Sequence, residues 1–305
     1  MGEVIRIGSR ASHLAIIQSQ LVMAEIQRSL PDARLELVTM KTTGDKILNR
    51  TLDKIGGKGL FLKELDNALL SGEVDLCVHS LKDVPVEENP ALPIGAYSAQ
   101  ESPGDVLVLP EGASDWDAAA PVGCASLRRS MQFQQLHPDA AVRPVRGNVL
   151  TRLEKLDRGE YGALILAEAG LKRLDLSHRI HQRFSPEQMV PAAGQGVMVT
   201  QSRAGEYAED LILREEGSGS RKFVCELLEK LNHPDVALCA KTERRLSALL
   251  GGDCSAPVGC HARCSGTQMT LYGFSGMGGV PKRAVVQGNA RDAAVLAEEL
   301  ARQLA

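Results

Sequence analysis

The sequence predicts an α/β protein with two similar lobes around a cleft and a small α+β domain after them. Three observations lead there. Short β-rich runs alternate with helical stretches, the pattern of βαβ units and a parallel sheet. The first half of the chain is echoed in order by the second: "IGSRAS…LPDARLELV" by "VGCASLRRS…HPDAAVRPV", then "SGEVDLCVHS" by "RGEYGALILA". A length of 305 residues is too great for one average domain and comfortable for two or three.

Val4 to Ile7 reads as the first strand. "GSRAS" then turns into a helix with apolar positions at Leu14, Ile17, Leu21 and Ile26, and Ser12 as its N-cap. "ARLELVTM" is the next strand, and the glycine-punctuated "KTTGDKILNRTLDKIGGKG" reads as a mobile loop. Phe61 to Leu70 is helical, ended near Gly72, and "VDLCVHS" is a third strand. After the echo of this plan, "VPAAGQGVMVTQSR" carries two glycines before an apolar run, as a segment crossing back into the first lobe as an extra strand would. "REEGSGSR" is a linker by composition, and "QMTLYGFSG" and "ARDAAVLAEELARQLA" are a strand and the closing helix of the small domain. The domains read as 1–98 with 197–214, then 103–190, then 219–305.

Composition narrows the function classes. The chain is 44% hydrophobic and 24% charged, an ordinary globular balance. Aromatics at 3% argue against base-stacking platforms, and a net charge of -3 gives no global pull toward nucleic acid or anionic membrane. The opening "MGEVIRIGSR" has no apolar h-region and no run of eighteen apolar residues follows, so the chain reads as cytoplasmic. Seven cysteines without a CxxC pair argue there against disulfides. Walker, GxGxxG and HExxH motifs are missing, which removes nucleotide-driven and zincin readings.

Local features point to an anion-binding cleft. Arg128-Arg129, Arg146, Arg152 and Arg173 cluster in the second lobe, and Arg10 sits in the first; each falls at a strand-to-helix turn in this reading. Guanidinium forks there suit carboxylates or phosphates. "HSLKDVP" places Lys82 and Asp83 where a buried strand ends. A lone carboxylate among arginines can accept ligand N–H groups, stabilise a developing cation and exchange a proton. His79 reads as satisfying a backbone group rather than as a catalyst. In "LLGGDCSAPVGCHARC", Cys254 lies in a glycine-framed turn with the access a reactive thiolate needs. Metal binding by Cys254, Cys260, His261 and Cys264 is the competing reading, and its spacing lacks the paired knuckles of such sites.

"GSRAS", "GGKGLFLKEL", "HSLKDVP", "ASLRR", "RGNVLTRL", "LAEAGLKRL", "PAAGQG" and "GGDCSAPVG" stand in the order found in hydroxymethylbilane synthases, also called porphobilinogen deaminases. The chain resembles that family over nearly its whole length. The resemblance implies two lobes like type II periplasmic binding proteins, and a transferase acting as a cytoplasmic monomer in tetrapyrrole biosynthesis. It implies a dipyrromethane cofactor, thioether-linked to Cys254, on which four porphobilinogens condense head to tail with loss of ammonia before hydrolysis frees the product. Asp83 would be catalytic and would also contact the cofactor. Lys82, Ser126, Arg128, Arg129 and Arg146 match cofactor contacts; Arg10, Ser12, Arg152, Arg173 and Gln195 match substrate contacts. The loop with Lys58, edged by Phe61, matches the active-site lid. No metal, nucleic acid or membrane partner is implied.

Three departures stand out. "GCAS" replaces "GTSS", losing hydroxyls at Cys124 and Ala125; "GGDC" replaces "EGGC", adding Asp253 beside the attachment thiol; and Gln201 stands where an acid is common. Two rival functions remain. A solute-binding protein would share the two lobes but would normally carry an export signal and need no Cys254 turn. An inactive relative would lack Asp83 or the arginines.

Overall fold

The computed structural model describes residues 4–42, 62–204, 219–253 and 256–305. In the first lobe the elements are β1 (Val4–Arg10), α1 (His13–Ser29), β2 (Arg34–Met40), α2 (Lys63–Ser71), β3 (Leu76–Ser80) and β4 (Ile94–Tyr97). The second lobe holds β5 (Asp105–Val108), β6 (Val122–Cys124), α3 (Leu127–Leu136), β7 (Val142–Pro144), α4 (Val149–Asp157), β8 (Ala163–Ala167), α5 (Glu168–Arg173) and β9 (Ile180–Arg183). Then come β10 (Met198–Gln201), α6 (Gly219–Leu231), α7 (Pro234–Leu249), β11 (Val258–Ser265), β12 (Gln268–Ser275), β13 (Lys282–Asn289) and α8 (Ala293–Leu304).

The sequence echo is an echo of topology. One five-stranded sheet runs β2-β1-β3-β10-β4 and the other β7-β6-β8-β5-β9. In each, three parallel strands are followed by one antiparallel strand that the chain supplies just after leaving the other lobe. Equivalent backbone bonds recur: Leu81 N to Val197 O and Glu168 N to Gly104 O, both 3.0 Å. Gly8 faces Cys77 and Gly123 faces Leu164 across the central pair, where a Cβ would meet the Cys77 Sγ at 2.7 Å and the Leu164 Cδ2 at 2.4 Å. Only glycine fits either place. The expected strand after "PAAGQG" is β10, paired with both β3 and β4.

Contacts divide the chain into two compact units, residues 1–100 with 197–237, and 101–196 with 238–305. In the first, Ile7, Ile26, Leu76 and Leu227 form a buried core, with α6 packed on α1 and β4. Residues 219–231, assigned by composition to the third domain, therefore pack with the first lobe. An apolar face alone does not reveal its partner. In the second unit, Phe133 and Ile165 sit in one core, and Leu246, Leu271 and Leu300 join α7, the β11-β12-β13 meander and α8 in another.

Candidate functional site

In the first unit the candidate residues lie at the carboxyl ends of parallel strands, where α/β sheets bind ligands. Arg10 is the last residue of β1, and Ser12 caps α1 by accepting from Ala15 N at 3.4 Å. β3 ends at Ser80, whose hydroxyl accepts from Gln18 Nε2 at 2.9 Å, and a single 3-10 turn, Leu81–Asp83, follows. The turn closes through Val84 N to Leu81 O and is anchored by buried Leu81. It leaves Lys82 half-buried and Asp83 exposed. Among the described residues the Asp83 carboxylate has no hydrogen-bond or ion-pair partner. His79, one strand position inward of Ser80, is 6% exposed. Burial, then the Arg10 charge, pushes its pKa down to about 4, so it is a neutral imidazole at pH 7.

The second unit gathers the arginine pair. Ser126 caps α3, accepting from Arg129 N at 3.5 Å, and so places Arg128 and Arg129 in the first helical turn. Both are buried, at 2% and 7% exposure, and both bind Asp105, which is fully buried at the start of β5. Arg128 Nη1 donates to Asp105 Oδ2 at 2.7 Å and Arg129 Nε to Oδ1 at 2.8 Å. Gln195 closes the cluster: its Nε2 donates to Asp105 Oδ1 at 2.8 Å and its Oε1 accepts from Arg129 Nη2 at 3.1 Å. Burial alone would raise the Asp105 pKa, and the two guanidiniums outweigh it, holding it at about 2. Burial pulls Arg128 below its ordinary value, but a guanidinium beside an ionised carboxylate keeps its charge.

The other arginines sit at neighbouring turns. Arg146 follows β7; its Nε is buried without a hydrogen-bond partner among the described residues. Arg152, inside α4, donates from Nε to Gly147 O at 2.8 Å. Arg173 lies in the last turn of α5 rather than at a strand-to-helix turn, and donates to Gly196 O at 2.6 Å. β8 passes directly into α5 between Ala167 and Glu168, so the strand-to-helix turn lies well before Arg173. Gly196 holds φ 90°, and a Cβ there would meet Glu101 O at 2.2 Å, so the carbonyl that Arg173 uses depends on glycine. Asp83, Lys82, Arg10 and Ser12 thus belong to one unit, and Ser126, the second-lobe arginines and Gln195 to the other. Cys254, Lys58, Phe61 and the lid loop lie outside the described residues.

Residues 5–209 match the family model described as "Porphobilinogen deaminase, dipyromethane cofactor binding domain". The chain belongs to the porphobilinogen deaminase family. Relatives of that name include one from Ruminiclostridium josui, 45% identical over 98% of this chain and 97% of that protein. Another, from Acetivibrio thermocellus, is 48% identical over 88% and 87%. A third, from Chromobacterium violaceum, is 42% identical over 98% and 94%. Among solved structures, a Bordetella pertussis BvgS VFT2 domain is similar at TM-score 0.40 and 16% identity over 75% of this chain and 93% of that one. The BenM effector-binding domain with benzoate is similar at TM-score 0.40 and 15% identity over 75% and 92%.

The sequence singles out Arg128 and Arg129 but not Asp105, the carboxylate that binds both. Asp105 stands in "SPGDVLVLP", where an acid between glycine and an apolar run reads as a turn residue. Glu243 was also missed. It is 1% exposed on α7 and accepts from Gly194 N at 2.6 Å and Ala262 N at 2.8 Å. The described cysteines are free, and four of them, Cys77, Cys124, Cys239 and Cys260, are buried. Burial raises the thiols of Cys77 and Cys260, and pushes Cys239 up to about 12. Among the described residues no His/Cys/Asp/Glu group is arranged to hold a metal, and no helix is long and apolar enough to cross a membrane.

Proposed function

We propose that this chain is a hydroxymethylbilane synthase, condensing four porphobilinogens head to tail with loss of ammonia on a dipyrromethane primer and releasing the linear tetrapyrrole by hydrolysis. The observation that carries the reading is Asp83: an exposed carboxylate without a partner among the described residues, held by a short turn at the carboxyl end of β3, in a chain of this family. Such a carboxylate accepts pyrrole N–H donors. It also offers negative charge where ammonia loss leaves positive charge on the incoming substrate, and takes up or returns the ring proton.

The residues present fit the primer. The buried Nε of Arg146, a donor without a partner among the described residues, would find an acceptor in an acetate or propionate side chain. Arg10, Arg152 and Arg173 would meet the carboxylates of substrate and growing chain, with Ser12 and Gln195 beside them. Arg128, Arg129, Lys82 and Ser126 would hold the primer. The bound primer supplies the nucleophilic pyrrole carbon on which the chain starts. Tethering it to Cys254 makes each addition effectively intramolecular. Cys254 is the favoured anchor because it stands in the glycine-framed turn that matches the family motif "CSAPVG"; burial moreover disfavours the thiolate at Cys77, Cys239 and Cys260. Lys58 and Phe61 belong to the proposed lid. The enzyme would act as a cytoplasmic monomer in three domains, without nucleic acid.

Intact-mass analysis with a porphobilinogen assay tests the proposal. The purified protein should consume porphobilinogen, release ammonia and carry a dipyrromethane mass on the peptide containing Cys254. Cys254→Ser should lose adduct and activity together. Asp83→Asn should keep the adduct and the parent's melting temperature while turnover falls at least about a hundredfold. No porphobilinogen consumption by the parent, an adduct on another cysteine, or near-parent turnover in Asp83→Asn would overturn the corresponding assignment.

A further inference from the structure

The segment 190–196 is bonded on two sides at once. Toward the second lobe, Val190 O accepts from Arg128 Nη1 at 2.6 Å, Gln195 joins Asp105 and Arg129, and Gly196 O accepts from Arg173. Toward the small domain, Pro191 O accepts from Cys260 N of β11 at 2.8 Å, and Gly194 N donates to Glu243 Oε2. Both oxygens of the Glu243 carboxylate are engaged: beside Gly194 N on Oε2, Oε1 takes Ala262 N and lies 3.2 Å from His261 Nδ1. Glu243 thus joins α7, β11 and the residue preceding Gln195 through one buried group. The same helix leads into the glycine turn before Cys254.

We infer that Glu243 is a positioning residue for ligand binding, setting the segment from which Gln195 and the carbonyls of Val190 and Gly196 orient Arg128, Arg129 and Arg173. The inference rests on the proposed function for its ligand, a carboxylate-bearing pyrrole. Its physical basis is that both carboxylate oxygens face backbone N–H groups. A glutamine has one oxygen and one NH2, so either amide orientation sets a donor against a donor and leaves a buried N–H unsatisfied. Gly194 or Ala262 must then shift. A shift at Gly194 passes directly to Gln195.

The test compares Glu243→Gln with Leu246→Ala on the same helix. Leu246 is fully buried in the small-domain core, against which Ala193 also packs, so its truncation lowers stability while leaving the Glu243 hydrogen bonds to the segment in place. Steady-state kinetics with porphobilinogen should give Glu243→Gln a KM raised about tenfold or more, with kcat changed far less. Intact mass should show a smaller fraction carrying the adduct. Leu246→Ala should melt earlier than the parent and keep its KM. A parent-like KM and adduct fraction in Glu243→Gln, or equal KM shifts in both variants, would overturn the inference. If Glu243→Gln yields no folded protein, Glu243→Asp, which keeps the charge but shortens the reach, is read by the same two outcomes. A parent that neither carries the adduct nor consumes porphobilinogen would count against the functional proposal instead.

Discussion

Asp105 and Asp83 are the same side chain at the same kind of place, a strand end, yet they do opposite things. Asp105 is enclosed, and its two oxygens are used by Arg128, Arg129 and Gln195. Asp83 is exposed and without a partner among the described residues. One carboxylate orders arginines; the other is left for a ligand. Asp105→Asn keeps the shape and removes the charge between two buried guanidiniums, so it should lower stability by about 3–5 kcal/mol in urea denaturation. The pH dependence carries a second signature. The folded pKa of Asp105, about 2, lies below the ordinary 3.8, so the unfolded state binds more protons between those values. The stabilisation is complete above about pH 4 and is lost as pH falls through 2, by about 2 kcal/mol. Asp105→Asn should lack that component, and equal acid sensitivity of variant and parent would refute the assigned charge state.

At the scale of elements, β3 carries a buried titratable group that the site does not use directly. His79 pairs with Val199 of β10, and its Nε2 has no hydrogen-bond partner among the described residues. Its folded pKa is depressed from 6.5 to about 4, so the unfolded imidazole takes a proton that the folded one refuses. Stability should be full above pH 6.5 and fall by about 3 kcal/mol as pH drops toward 4. His79→Gln should remove that slope from urea midpoints measured between pH 7 and 4.5; a slope unchanged in the variant would mean the histidine is not buried neutral. Elements were the most legible level of the sequence. Ser12 could be read as a cap because an N-cap is a local device, satisfied within three residues. The Asp105 cluster could not, because its partners arrive from 23, 24 and 90 residues away. Glu243 escaped for the same reason: it sits mid-helix among charged neighbours in "KTERR", and only the Gly194 and Ala262 amides mark it as interior.

The whole molecule is organised by a strand that the first lobe receives late. In the second lobe all five strands lie within residues 101–196, so its sheet is contiguous in sequence. The first lobe is not contiguous. Its β4 lies at the sheet edge and pairs with β10, which the chain supplies only after the second lobe has been made. Without β10, β3 would present a bare edge of backbone donors and acceptors, and β4 would have no neighbour in the sheet. Such an edge favours pairing with other chains. In residues 1–100 alone, the core formed by Ile7, Val78 and Ala96 would also lose Met198 and the α6 face that carries Leu227 and Leu228. A fragment of residues 1–100 should therefore aggregate or give a poorly dispersed amide spectrum. The same fragment joined by a short Gly/Ser linker to residues 197–237 should be monomeric and dispersed, with a cooperative urea transition. The linker has only to replace an excursion, since Ser98 N already bonds to Met198 O at 2.9 Å. Cooperative unfolding of 1–100 alone would mean that β10 is an accessory to the first sheet rather than the strand that completes it.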